Sequence, residues 1–173
     1  MREMFVTGIA IDPRSMQPIL VLNDVDNRRA LPIWIGQAEA TSIGLALDEV
    51  KLERPLTHDL MLNVIGVLGF RVDHVDISRN TIGGFSASIA LEQEHSEEGE
   101  PKRTEIDARP SDAVALALRA GASIHISQEL FAEDTIALER SAIEVGPAPD
   151  QAEKDQFIEF LKGVKASDFK LPE

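Results

Sequence analysis

Short apolar runs broken by polar turns dominate the first third of the chain. Met4-Phe5-Val6-Thr7-Gly8-Ile9-Ala10-Ile11 and Pro18-Ile19-Leu20-Val21-Leu22 read as strands, with Asp12-Pro13-Arg14-Ser15 as the turn between them. Asn23 to Asn27 is a second turn and Ala30 to Ile35 a third strand. Pro32 has no N–H to give a ladder, so its part of that strand belongs at an edge or a bulge. After Gly36 the period changes. Ala40, Ile43, Gly44 and Leu47 recur at i, i+3, i+4 and i+7, which predicts a helix over Gln37 to Lys51 with a face of partly small residues. Beyond Pro55, Thr57 is the expected N-cap of a second helix ending near Leu68, with Leu56 and Met61 spaced as a hydrophobic staple and Gly69 as the stop.

The second half alternates again. Phe70 to Ser78 and Gly84 to Leu91 predict a long hairpin, and Thr104 to Ala108 a further strand. Pro110 to Ala120 predicts a helix closed by Gly121, followed by a short strand, Ser123 to Ile126, and a short helix, Ser127 to Phe131. Ile43-Gly44-Leu45-Ala46-Leu47 and Val114-Ala115-Leu116-Ala117-Leu118 form a weak internal echo, each followed by a capped helix start. Gly146-Pro147-Ala148-Pro149 reads as a linker, and Asp150 with Glu153 as the capping box of a last helix whose stripe is Phe157, Leu161 and Val164. The pattern gives an α+β class: a mainly antiparallel or mixed sheet with packed helices, over residues 1–145, plus a C-terminal helix after the linker, over 146–173.

Composition narrows the chemistry. With 43% hydrophobic residues in 173, one core is affordable. The absence of cysteine excludes disulfides, thiolate nucleophiles and Cys-based zinc sites. No segment reads as a signal peptide or a membrane span, so the expectation is a cytoplasmic protein without a membrane partner. A net charge of −13 disfavours non-specific tracking of a nucleic-acid backbone but leaves room for a local basic site or a metal held by acids. Phosphate-binding and dinucleotide glycine motifs, the nucleophile elbow and the H-E-x-x-H zinc motif are all missing, so no organic cofactor is expected.

What remains is charge at helix starts. Asp107, Arg109, Ser111 and Asp112 surround Pro110 at the mouth of an apolar helix. They can cap that helix and pair with one another. The same groups can bind an anion, through Arg109 and the Ser111 hydroxyl, or hold a divalent cation through Asp107 and Asp112. Glu39 lies in the first turn of its helix, and His58 with Asp59 opens the next; His58 is one of only four histidines. Trp34 reads as a core or interface residue rather than a base-stacking platform. If the sheet brings these three helix starts together, the product is a carboxylate-rich pocket with a cationic clamp, which metal-assisted phosphodiester hydrolysis requires.

Three blocks in order, LPIWIGQAEATSIGLAL, RPLTHDL and IDARPSDAVALALRAGASIHIS, make residues 5–131 resemble the bifunctional nuclease domain family. The resemblance implies an α+β domain, a homo-oligomer and activity on DNA and RNA. The family blocks fall on Pro32 to Gly36 with Glu39, on Arg54-Pro55 with Thr57 to Leu60, and on Asp107 to Ala113, without departure inside them. The tail, Asp150 to Glu173, does not match the repair-type C-terminal motif of some members. The expected roles are Glu39, Asp107 and Asp112 for Mg²⁺ or Mn²⁺, Arg109 and Ser111 for the substrate, and His58, Asp59 and Arg109 for catalysis. The alternative is a non-catalytic homo-oligomeric binding or regulatory protein in which Arg109 only pairs with the acids.

Overall fold

A computed structural model of the chain describes residues 1–81, 83–93 and 102–138. The expected domain boundary, the linker and the last helix lie outside the described residues. The described elements run in the order β1 (Arg2–Ile11), β2 (Pro18–Asp24), β3 (Arg29–Trp34), α1 (Gln37–Leu47), α2 (Thr57–Val67), β4 (Phe70–Arg79), β5 (Phe85–Gln93), β6 (Arg103–Ala108), α3 (Pro110–Ala120), β7 (Ser123–Ile126), α4 (Gln128–Glu133) and β8 (Ile136–Ala137). The strands form one eight-stranded sheet, β6-β5-β4-β7-β1-β2-β3-β8. Every pairing is antiparallel except β4 with β7. The fold is therefore α+β with a mixed sheet, as the residue pattern indicates.

Alternation decides which side of each strand is buried. Leu20 and Leu22 of β2, Leu31 and Ile33 of β3, Val75 and Ile77 of β4, and Ile89 and Leu91 of β5 all face one core. That face is closed by α3, whose Ala113, Val114, Ala115, Leu116 and Ala117 have no solvent exposure. The alanines let neighbouring elements approach α3 closely, while each fully buried Leu or Ile contributes about 2 kcal/mol of transfer free energy. Against α3 pack α1 and α2. This arrangement sets the start of α3 beside the first turns of α1 and α2.

Several local details follow from the chemistry of single residues. β8 covers β3 only at Arg29 and Ala30, so Pro32 stands beyond that pairing, where its missing N–H costs no ladder bond. The N-cap of α2 is Leu56 rather than Thr57, because the Asp59 carboxylate accepts the Leu56 N–H at 2.8 Å. α1 ends at Leu47, four residues before the expected Lys51, because Glu49 turns left-handed at φ 52°. Trp34 is not a core residue. It is 55% exposed, since the alternation that buries Leu31 and Ile33 turns it outward. In β4 an irregularity between Val72 and His74 inserts Asp73 as an extra residue.

Candidate active site

The first turns of α1, α2 and α3 meet at one cleft of about 550 Å³, whose wall includes Glu39, Ser42, His58, Asp107, Arg109 and Asp112. Pro110 restricts the residue before it to an extended backbone, and Arg109 has φ −73° and ψ 146° as the N-cap of α3. Its guanidinium then reaches both neighbouring carboxylates. Nε donates to Asp112 Oδ2 at 2.8 Å, and Nη2 donates to Asp112 Oδ1 at 3.2 Å and lies 2.8 Å from Glu39 Oε1. Glu39 folds back over Gly36. A Cβ on Gly36 would stand 2.3 Å from Glu39 Oε2, so the glycine leaves the carboxylate its place.

Behind this clamp lies a chain of donors. Arg119, on α3, donates through Nη2 to the Ser42 carbonyl and to Ser42 Oγ, both at 3.1 Å. The Ser42 hydroxyl keeps its own proton to donate to His58 Nδ1, at 2.9 Å. In its neutral form His58 then carries its proton on Nε2 and donates it to Asp112 Oδ1, 3.2 Å away. The tautomer follows from Asp112, whose ionised carboxylate can only accept. His58 and Ser42 are both buried.

Electrostatics follow the contacts. Burial pushes the Asp112 carboxyl upward, but hydrogen bonds from Arg109 and His58, and their charges, outweigh it and hold Asp112 below its ordinary value. Asp59 is lowered in the same way: desolvation is overcome by Arg119 and by the Leu56 N–H. Arg109 is raised, first through its hydrogen bond to Asp112 and then through the charges of Asp112 and Glu39.

Of the residues singled out by sequence, Glu39, His58, Asp107, Arg109 and Asp112 share the cleft wall. Asp107 has no side-chain partner among the described residues. Two others stand apart. Ser111 is buried in the first turn of α3 and is not part of the wall. Asp59 turns to Arg119, with 2.6 Å between Oδ1 and Nε, and to the Leu56 N–H. Sequence reasoning missed Ser42 and Arg119. A signal for Arg119 was present: it lies seven residues after Asp112, on the same stripe of an otherwise uncharged helix. Nothing distinguished Ser42 from other helix serines.

Chemically, the cleft offers hard oxygen donors in Glu39 and Asp112, close enough to share one guanidinium, with Asp107 on the same wall. That donor set suits Mg²⁺ or Mn²⁺. The two nitrogens of His58 are already engaged, which fits a proton-carrying role better than a ligand role. No helix among the described residues is long and apolar enough to cross a membrane.

Comparison with known proteins agrees with this arrangement of blocks. The bifunctional nuclease domain matches residues 20–139. Uncharacterized proteins from two strains of Mycobacterium tuberculosis are 36% identical over 171 residues, covering 98% of this chain and 99% of theirs. A protein of Oryza sativa subsp. japonica named bifunctional nuclease 2 is 26% identical over 132 residues, 75% of this chain and 39% of the rice protein. The domain match spans most of the described residues and contains all three helix starts, and the chain belongs to the bifunctional nuclease domain family.

Proposed function

We propose that the chain is a metal-assisted nuclease that cleaves phosphodiesters of DNA and RNA at the Glu39/Asp112 cleft. The observation that carries this reading is the clamp itself: two carboxylates from different helices, drawn together by Arg109 beside a buried histidine. When bound, Mg²⁺ or Mn²⁺ would polarise the phosphoryl oxygen and lower the pKa of an attacking water. Glu39, Asp112 and Asp107 are the residues that would hold the ion. Arg109, whose side chain is 67% exposed, spans the same two carboxylates and would be released toward a phosphate, to which its fork can bond bidentately. His58 carries a proton at Nε2 that can pass to a leaving oxygen. Asp59 supports it indirectly by capping α2 and anchoring Arg119, and Ser111 supports the start of α3.

The non-catalytic, self-associating reading is favoured by a different observation. α2 and its C-cap residue expose Leu60, Val64, Val67 and Leu68, an apolar stripe at i, i+4, i+7 and i+8.

The test is hydrolysis of end-labelled single-stranded DNA and RNA by highly purified protein with Mg²⁺, with Mn²⁺ and with EDTA. An Arg109→Ala variant with unchanged melting temperature and mass serves as the comparison. Metal-dependent cutting that falls at least about 100-fold in the variant supports the nuclease reading. Equal cutting by both proteins overturns the assignment to this cleft and points to a contaminant or a site elsewhere; none by either overturns the nuclease reading in favour of the binding one.

A further inference from the structure

The open face of the sheet carries a second cluster that the cleft does not use. His74 and Asp76 are two residues apart on β4, and His125 stands directly opposite Asp76 on the parallel neighbour β7. One ligand atom from each of these three side chains lies within 4.8 Å of the others. The bulge in β4 creates this arrangement. Val72 and Val75 both face the core, so two residues between them, Asp73 and His74, turn outward instead of one. Plain alternation from Val72 would have sent His74 into the core.

The hydrogen bonding leaves a gap in the electrostatics. Asp73 Oδ2 sits 2.9 Å from His74 Nδ1, so a neutral His74 donates there and keeps its lone pair on Nε2. That lone pair faces Asp76 Oδ2 at 3.5 Å, while His125 Nδ1 lies 3.3 Å from Asp76 Oδ1 and donates to it when the ring proton sits on that nitrogen. A lone pair on His74 Nε2 aimed at a carboxylate oxygen calls for a positive centre between them. A second proton on His74 would supply it for that residue alone. A single divalent ion satisfies all three groups at once. The two histidine–carboxylate separations, 3.5 and 3.3 Å, match as well, because ligands about 2.05 Å from a tetrahedral ion stand roughly 3.3 Å apart. Asp73 behind His74 is the carboxylate–histidine pairing that orients a metal-bound imidazole. Glu3, opposite His125 on β1, adds negative potential to the same face.

We infer that His74, Asp76 and His125 form a binding site for a borderline first-row cation, Zn²⁺ or Co²⁺ in preference to Mg²⁺, distinct from the oxygen-rich cleft. Two imidazoles and one carboxylate select for such ions, and three protein ligands leave a coordination position open. The inference does not depend on nuclease activity.

Isothermal titration of the full-length, metal-stripped chain with Zn²⁺, and Co²⁺ absorption spectroscopy, test it. The expected result is one Zn²⁺ bound per chain and a Co²⁺ visible band with nitrogen ligation. Both should be lost in His74→Ala and in His125→Ala and kept in a Glu39→Gln/Asp112→Asn double variant. The three ligands lie off the core, so retained melting temperatures qualify the variants, and Asp76→Asn serves as a third variant should either histidine change affect folding. Absence of Zn²⁺ binding, or binding that survives both histidine substitutions, overturns the inference. So does binding lost only in the double variant, which would place the ion in the cleft.

Discussion

Asp112 receives Arg109 on one side and His58 on the other, so its negative charge is worth more in the folded chain than in the unfolded one. Its carboxyl is lowered from the ordinary value of 3.8. A lowered folded-state value stabilises the protein fully above the unfolded value, and the contribution is lost as pH falls through the lowered one. The difference in stability between wild type and Asp112→Asn should therefore be constant in the neutral range and narrow below about pH 4. Urea unfolding midpoints measured from about pH 3 to 7 check this; a gap that stays constant to the acid end would mean that Asp112 gains nothing from its partners. At this scale the sequence was legible wherever a charge interrupted an apolar run, which is how Glu39, Arg109 and Asp112 stood out. It was silent where the partner was an ordinary serine. It also could not separate His58 from Asp59, because one peptide step turns adjacent side chains toward different neighbours.

Arg119 acts between elements. It accounts for bonds to α1 through Ser42, to α2 through Asp59 and to its own helix through the Ala115 carbonyl at 2.9 Å. Arg119→Met keeps the aliphatic stem but removes the guanidinium from the Ser42 carbonyl and from Asp59, which keeps only the Leu56 N–H. Breaking a fully buried pair costs about 3–5 kcal/mol; Asp59 retains some water contact, so about 2 kcal/mol is expected. That corresponds to a fall in melting temperature of roughly 5 °C, readable by calorimetry. A fall of less than about 1 °C would mean that the three helices do not rely on this tie. Helix and strand positions were legible because period and punctuation agree along most of the chain; α3 begins and ends at the residues its proline and glycine announce. The end of α1 was not, because the stop is a left-handed glutamate, which leaves no mark in composition. β8 was missed because two residues carry no period.

The whole molecule combines a charge of −13 with an apolar stripe on α2 that includes Val67, 88% exposed. Acidic surfaces keep copies of a chain apart unless apolar area draws specific faces together. If α2 is a subunit contact, Val64→Glu combined with Val67→Glu should lower the sedimenting mass to that of one chain while leaving the fold intact. Sedimentation velocity at tens of micromolar reads the outcome. A wild type that is already monomeric, or a variant of unchanged mass, removes α2 from the interface. Class and sheet character were legible at this scale because they sum over many residues. The convergence of helix starts could only be stated as a condition, since it depends on how the β4–β7 crossover places α3.

That convergence has a temporal side. The cleft takes one wall from α1, another from α2 and its clamp from the start of α3. A chain emerging during synthesis holds Glu39 and His58 long before Arg109 and Asp112 exist. Until α3 docks there is no Arg109 to gather the acids, and the imidazole has Ser42 but not Asp112, so the newborn protein has no complete cleft. The candidate site is complete only once the core has closed over α3.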